Sequence, residues 1–317
     1  MNASTNSVAV NTSAAEIPVW ITYRSSLTIW FIVMLLFAIL GTFLNSLLIC
    51  AVLSSRKLRR GSGILILNCL FINFVLCGID MPILIYTTYF GEYYQHAPKY
   101  FCKYLVLFYY SFVYTVDWAQ LAIGINRFVA IFFPHIYTKW TTPKVIIPML
   151  VIPYVIPFAC NLVMFYDIGA HYQAMKPWGA CGVKPLPHNN TYTVVVALCV
   201  ALPVAALGVL YITIFVVVWS RSFTSQRQIE SAEGHPVAVG NQSALFRRRY
   251  RSVKMLFLTA VWYSAALLPA PITSSFFSAE YNSQPLLQLI LRGLLLAVYA
   301  TSPVRMHVKL TILDRTW

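Results

Sequence analysis

Charge is what this sequence has least of. Of its 317 residues only 10 % are charged, and no more than 9 are acidic. A soluble domain carries about 25 % charged residues. Together with an apolar share of 59 %, so thin a supply of charge could not cover a water-exposed surface, and lipid must be the solvent for much of the chain. Enzyme signatures are missing as well. There is no His-Glu-x-x-His, no Gly-x-Ser-x-Gly, no P-loop and no dinucleotide fingerprint. The 6 His are scattered and form no metal-ligand cluster, so neither a catalytic activity, a cofactor nor a metal is expected. Internal repeats and low-complexity tracts are absent. Met1 to Ser13 hold no Lys, no Arg and no apolar run, which argues against a cleavable signal peptide and makes the first apolar segment its own insertion signal.

What the chain does have is long apolar runs. A spanning helix needs about 20 such residues, and seven candidates appear, near 27–53, 63–90, 102–133, 145–166, 192–219, 253–275 and 285–308. Each reads as apolar all round, as for a helix in lipid. Pro148, Pro153, Pro157 and Pro303 interrupt the fourth and seventh, which membrane helices tolerate where neighbours re-satisfy the backbone. The expected fold class is therefore an all-α integral membrane bundle of seven helices. It divides into an outer tail (1–26), a seven-helix domain (27–308) whose one long polar segment is 220–252, and a short inner tail (309–317).

The net charge of +14 is unevenly spread. Arg56, Lys57, Arg59 and Arg60 follow helix one, Lys139 and Lys144 follow helix three, and Arg221, Arg227, Arg247, Arg248, Arg249, Arg251 and Lys254 fill or border the long loop, with Arg305, Lys309 and Arg315 at the C-terminus. The other side carries Arg24, Lys99, Lys103, Lys176 and Lys184. By the positive-inside rule the first set is cytoplasmic and the N-terminus is outside. The run Arg247–Arg251 then reads as inner-leaflet charge rather than as a nucleic-acid patch. Sequons at Asn2, Asn11 and Asn189 fall on the outer side as glycosylation candidates. Another at Asn241 falls inside.

The sharpest chemical signal is Asn126-Arg127-Phe128 at the inner end of helix three, with Pro134 beyond it. A lone Arg at a helix end commonly snorkels to the interface. Cys102 lies 25 residues earlier, about one membrane thickness away at ~1.5 Å per residue. Cys181 sits in the outer loop before helix five. The two are placed to form a disulfide in an oxidising compartment; two separate thiols are the alternative. Cys50, Cys69, Cys77, Cys160 and Cys199 fall within apolar segments and read as packing residues.

Further motifs recur in order: Gly41-x-x-x-Asn45 in helix one, Asn73 in helix two, Pro203 with Tyr211 in helix five, Tyr263 before Pro269 in helix six, and Ser302-Pro303 in helix seven. At these residues, through most of its length, the chain resembles the rhodopsin-like receptors coupled to G proteins. The stretch from Asn126 to Pro134 is similar to nematode serpentine chemoreceptors. The resemblance implies a plasma-membrane receptor that binds an extracellular small molecule in the bundle and activates a heterotrimeric G protein. It implies that Asn126, Arg127, Phe128 and Tyr211 meet the G protein. It also implies that Asn45, Asn73, Pro203, Tyr263, Pro269, Ser302 and Pro303 carry the helix-packing switch. The departures matter. Asn73 stands where the family has an Asp that binds sodium, Leu267 replaces its helix-six Trp, Met306 its helix-seven Tyr, and Asn126 the Asp that ion-pairs with the Arg. These fit a divergent receptor, one with raised basal activity, or a seven-helix scaffold or decoy that no longer couples. With only about ten residues after Pro303, the usual amphipathic tail helix must be short or missing.

Tyr109 lies 18 residues before Arg127, five helical turns on the same face, and so faces the bundle at ligand depth, where amine receptors carry Asp. Asp80, Asp117, Asn161 and Arg292 are polar or ionisable at membrane depth, and such residues default to functional hypotheses. Asp80 and Arg292 are expected to pair, either across the base of a ligand pocket or as a structural bridge with no ligand contact; Asp117 is either protonated or hydrogen-bonded to a neighbouring helix. Tyr86, Tyr89, Phe90, Phe108, Tyr109, Tyr110, Phe112, Tyr114, Phe276 and Phe277 surround this region, with Tyr109 and Phe112 singled out as ligand contacts beside Asp80 and Arg292. A retinal receptor is excluded because no Lys lies between Gln288 and Pro303. A transporter would show inverted repeats and a channel a filter or charged ring, and neither is present.

Overall fold

A computed structural model describes residues 19–56, 62–91, 100–187, 189–231, 257–258 and 260–302. Helix one runs Arg24–Ser54, after a single turn at Val19–Thr22. Helix two runs Ser62–Val75, passes through a π turn at Leu76–Asp80 and continues as Met81–Tyr89. Helix three is Phe101–Phe132 and helix four Pro143–Phe165, joined by the short helix Pro134–Trp140. Helix five begins at Thr191–Val196, has its own π turn at Ala197–Ala201 and extends as Leu202–Ser231, into the segment expected to be a polar loop. Helix six runs 260–267 and then Pro269–Phe276. Ser278–Ser283 leads into helix seven, Pro285–Ala300. The sequons at Asn2, Asn11 and Asn241, Pro303, and most of the 220–252 loop lie outside the described residues.

Proline accounts for the irregularities. Both π turns end just before one, at Pro82 and Pro203. Proline has no N–H to give the carbonyl four residues back, and a wider i→i+5 turn absorbs that loss. Helix six breaks at Leu268, just before Pro269, for the same reason. Helix four instead stays helical through Pro148, Pro153 and Pro157, because in lipid no other backbone partner is available.

Among the described residues four helices are long and apolar enough to cross a membrane by length and composition, namely those over Arg24–Ser54, Gly63–Tyr89, Pro143–Phe165 and Thr191–Ser220, with Pro285–Ala300 a shorter apolar one. Their outward faces are apolar at helical spacing, as with Ile29, Ile32, Leu36, Phe43 and Leu47 on helix one. Helix three corrects the expectation that every span is apolar all round. It buries residues on all sides, among them Ser111, Thr115, Asp117, Gln120, Asn126 and Arg127. It packs against helices two, four and five and the outer hairpin, so its polar side chains are buried against protein rather than facing lipid.

Helix one approaches helices two and seven at Gly41. A Cβ there would lie 2.8 Å from Cys77 Sγ and 2.9 Å from the Ala300 Cα. Beside it Asn45 donates to the Gly41 carbonyl at 2.8 Å.

The loop between helices four and five is an antiparallel hairpin, β1 (Ala170–Met175) with β2 (Ala180–Pro185), in which Ala174 faces Cys181. The Cys102–Cys181 disulfide is formed, with Cα atoms 5.1 Å apart, and ties β2 to the outer end of helix three. Trp178 in the hairpin turn donates to the Pro285 carbonyl at 3.2 Å and packs edge-on against Tyr23. Gly179, at φ 65°, sits where a Cβ would meet Gly91 backbone at 2.5 Å, so the turn can press on the end of helix two only as glycine.

Two substitutions test this packing. Gly41→Val should lower the thermal midpoint of the purified protein through overpacking of about 1–3 kcal/mol. Cys102→Ser should cost about 2–5 kcal/mol, seen as a lower midpoint that reductant also produces in the wild type.

Candidate functional site

The outer half of the bundle holds a cluster of phenols. Helix three contributes Tyr109, Tyr110 and Tyr114, with Tyr109 and Tyr110 rings 5.0 Å apart and Tyr110 and Tyr114 rings 5.6 Å apart. Tyr192 of helix five lies within electrostatic reach of Tyr110 and Tyr114, and Tyr281 within reach of Tyr110 and Tyr192. Tyr192 lies beside Ser274 of helix six, whose hydroxyl donates to the Pro271 carbonyl. Tyr172 reaches down from β1 and donates to Asn161 Oδ1 at 3.0 Å, near its carbonyl at 3.2 Å. Asn161 in turn donates to the Pro157 carbonyl at 2.9 Å, which explains a polar residue at that depth in helix four. Tyr172, Tyr192 and Tyr281 were not legible in the sequence. One signal could have found Tyr172: it lies on a loop that the disulfide pins over helix three.

The expected ion pair between Asp80 and Arg292 is absent. Asp80 is 5 % exposed and its Oδ2 has no hydrogen-bond partner among the described residues. Arg292 is half-buried and its Nη1 donates to Thr88 Oγ1 at 3.4 Å. Both charges nonetheless act on the Tyr109 hydroxyl. Arg292 instead reaches a hydroxyl about two helical turns beyond Asp80, so the two charges sit at different depths, and a π turn also ends on Asp80. An extra residue in the turn rotates the rest of the helix by about 100°, so faces counted at a regular 3.6 period do not hold there. Other expectations also shift. Phe112 turns its ring edge-on to Phe158 of helix four at 5.8 Å, and Tyr86, Phe108 and Phe277 are 46 %, 49 % and 54 % exposed, pointing away from the cluster. Tyr89 packs on Phe31 and Phe90. The side chain of Phe276 lies outside the described residues.

Deeper in the membrane, Tyr263 of helix six donates a short hydrogen bond to Asp117 Oδ1 of helix three. Asp117 is 1 % exposed, and Cys199, four residues before Pro203 of helix five, lies within its electrostatic reach. Of the two alternatives left by the sequence, Asp117 takes the hydrogen bond to a neighbouring helix. Asn45 and Asn73 are buried but donate to their own helices, to the Gly41 and Cys69 carbonyls at 2.8 and 2.7 Å. Gln120 of helix three reaches Cys69 Sγ at 3.3 Å. Ser302 is buried at the end of helix seven.

At the inner end Arg127 is buried, and its Nη2 has no hydrogen-bond partner among the described residues. Its surroundings are phenolic rather than acidic, with Tyr137 from the Pro134–Trp140 helix and Tyr211 of helix five within electrostatic reach. Asn126 donates to Tyr137 Oη at 3.4 Å. Phe128 stacks on Phe132 at 4.4 Å. Tyr211 packs with Leu121, Leu207 and Ile214. No group of three or more His, Cys, Asp or Glu that could hold a metal occurs among the described residues.

On the outer surface Lys103 pairs with Asp167 at 2.8 Å, and His171 meets the other carboxylate oxygen at 3.0 Å. Asn189 is exposed, its Oδ1 accepting from the Thr191 amide at 2.9 Å.

Helices that bury a polar central member, a disulfide-pinned outer lid and a buried arginine at the inner end define a multi-pass membrane protein with the ground plan of a seven-helix receptor. The sequence pattern of the 7 transmembrane receptor (rhodopsin family) matches residues 44–304. The chain belongs to that family. Nothing among curated proteins matches it closely enough to count as a relative.

Two measurements probe these contacts. Tyr263→Phe leaves a buried carboxyl oxygen without its donor and should cost about 1–3 kcal/mol, read as a lower thermal midpoint that Asp117→Leu in the same chain partly restores. Hydrogen bonds from Lys103 and then His171 hold the Asp167 carboxyl below its ordinary value. A depressed acid stabilises above its unfolded pKa and loses that contribution as pH falls through the folded one. The wild type should therefore lose a small increment of thermal stability below about pH 4 that Asp167→Asn does not lose.

Proposed function

We propose that this receptor is chemosensory, resides in the plasma membrane, binds an extracellular small molecule among the outer phenols and activates a heterotrimeric G protein through Arg127. The observation that carries the reading is the state of Arg127. It is buried at the inner end of the central helix, with phenols rather than a carboxylate for company. A guanidinium that no acid among the described residues holds is expensive to keep in a bundle and suits a partner that supplies backbone carbonyls or a helix C-terminus. Asn126, Phe128 and Tyr211 shape the surface around it. Asn189, exposed on the outer side, suits glycan attachment.

The switch in this reading is a two-state repacking of helix six against helix three. In the family the Arg-flanking acid restrains the inner end; here Asn126 holds no such charge. The Asp117–Tyr263 bond joins helices three and six instead. Helix six is built to move about its break before Pro269. The expectation that Asn45, Asn73, Ser302 and Pro303 share the switch belongs to the same reading.

Purified receptor in lipid should catalyse nucleotide exchange on a G protein, and Arg127→Ala should abolish it without loss of folding. Tyr263→Phe should raise basal exchange, by up to about tenfold if the lost bond is worth about 1.4 kcal/mol. Exchange that is absent in the wild type and in Tyr263→Phe alike would instead mark the protein as a seven-helix scaffold or decoy.

A further inference from the structure

The outer half of the bundle contains two opposite charges that the protein leaves apart. Asp80 is 5 % exposed, carries a buried Oδ2 without a partner and makes no ion pair among the described residues. The Arg292 guanidinium is half-buried and makes a long, 3.4 Å approach to the Thr88 hydroxyl. Both lie within electrostatic reach of the Tyr109 hydroxyl, and helix seven packs against the π turn that ends on Asp80. Arg292 also acts on Tyr110. Buried charges are costly unless paired. Two that leave each other unpaired invite something that carries the complement of both.

We propose that the ligand is an amphoteric small molecule, with an amine that meets the Asp80 carboxylate and a carboxylate that meets Arg292. Its body lies against Tyr109 and Tyr110, whose rings supply apolar faces and whose hydroxyls can serve either end. The inference rests on the outer pocket being the ligand site, as in the function proposed above. Geometry sets the length. Thr88, the present partner of Arg292, lies eight residues beyond Asp80, about 12 Å of helix rise. The two groups therefore sit at different depths, and a ligand that meets both needs several carbons between its charges, which an α-amino acid lacks.

The test is thermal melting of the purified full-length receptor in detergent with no G protein present, so its outcome is independent of coupling. The probes are 5-aminopentanoate, 6-aminohexanoate and 7-aminoheptanoate, each with the matched monocarboxylic acid, the matched monoamine and glycine. The ω-amino acids should raise the midpoint by several degrees at saturation, and the singly charged molecules and glycine should bind at least about tenfold more weakly. Asp80→Asn should erase the advantage over the carboxylic acid, and Arg292→Gln the advantage over the amine, each variant's ligand-free melt reporting that it folds. The wild-type series decides alone if a variant does not fold. The proposal is overturned if no ω-amino acid shifts the midpoint, if acid or amine alone shifts it as much, or if both variants weaken all probes equally. A silent exchange assay beside a positive melting series would overturn the coupling and leave the ligand class standing.

Discussion

Everything in this bundle depends on helix three being surrounded. A polar side chain at membrane depth has no water to turn to, so it must find its partner in the bundle or face hydrocarbon. Helix three carries Ser111, Thr115, Asp117, Gln120, Asn126 and Arg127, all buried. It can do so because helices two, four and five and the outer hairpin pack around it. The disulfide from Cys102 to Cys181 brings that hairpin down, and Trp178 and Tyr172 fasten it to helices seven and four. The polar helix and the lid therefore belong to one arrangement: the lid closes over the phenols that the helix presents.

Along the axis of helix three the polar residues form three tiers. Phenols with Asp80 and Arg292 occupy the outer tier, the Asp117–Tyr263 bond the middle, and Arg127 with Tyr137 and Tyr211 the inner. The middle tier couples the other two in the proposed mechanism, because Tyr263 belongs to the helix whose inner end must move. In a low-dielectric interior such a bond is strong while it lasts, and helix six above it is already weakened before Pro269. In the proposed mechanism that gives helix six a second packing within reach of the first.

Spans show in the sequence because the backbone's need for internal hydrogen bonds makes a long apolar run a local property. Orientation shows because lysine and arginine are sorted by loop. The Cys102 and Arg127 positions mark the two ends of one helix, and the disulfide formed as their spacing allowed. Less visible was helix three's character as a buried element, since its composition looks merely mixed until its neighbours are known. Phe112, Tyr86 and Phe108 illustrate the same limit: each is aromatic near the pocket in sequence, yet a rotation of one residue along a helix turns a ring by about 100° toward another helix or toward lipid.

By itself, then, the sequence determined a membrane protein of seven apolar segments, its orientation, its central arginine and its family resemblance, because these depend on composition and short-range spacing. Only the tertiary structure decided which charges meet. Asp117 finds Tyr263 from a residue far along the chain, while Asp80 and Arg292, expected to pair, do not. Pairing depends on helix rotation and depth, and in helix two a π turn before Pro82 resets the rotation at the residue that matters.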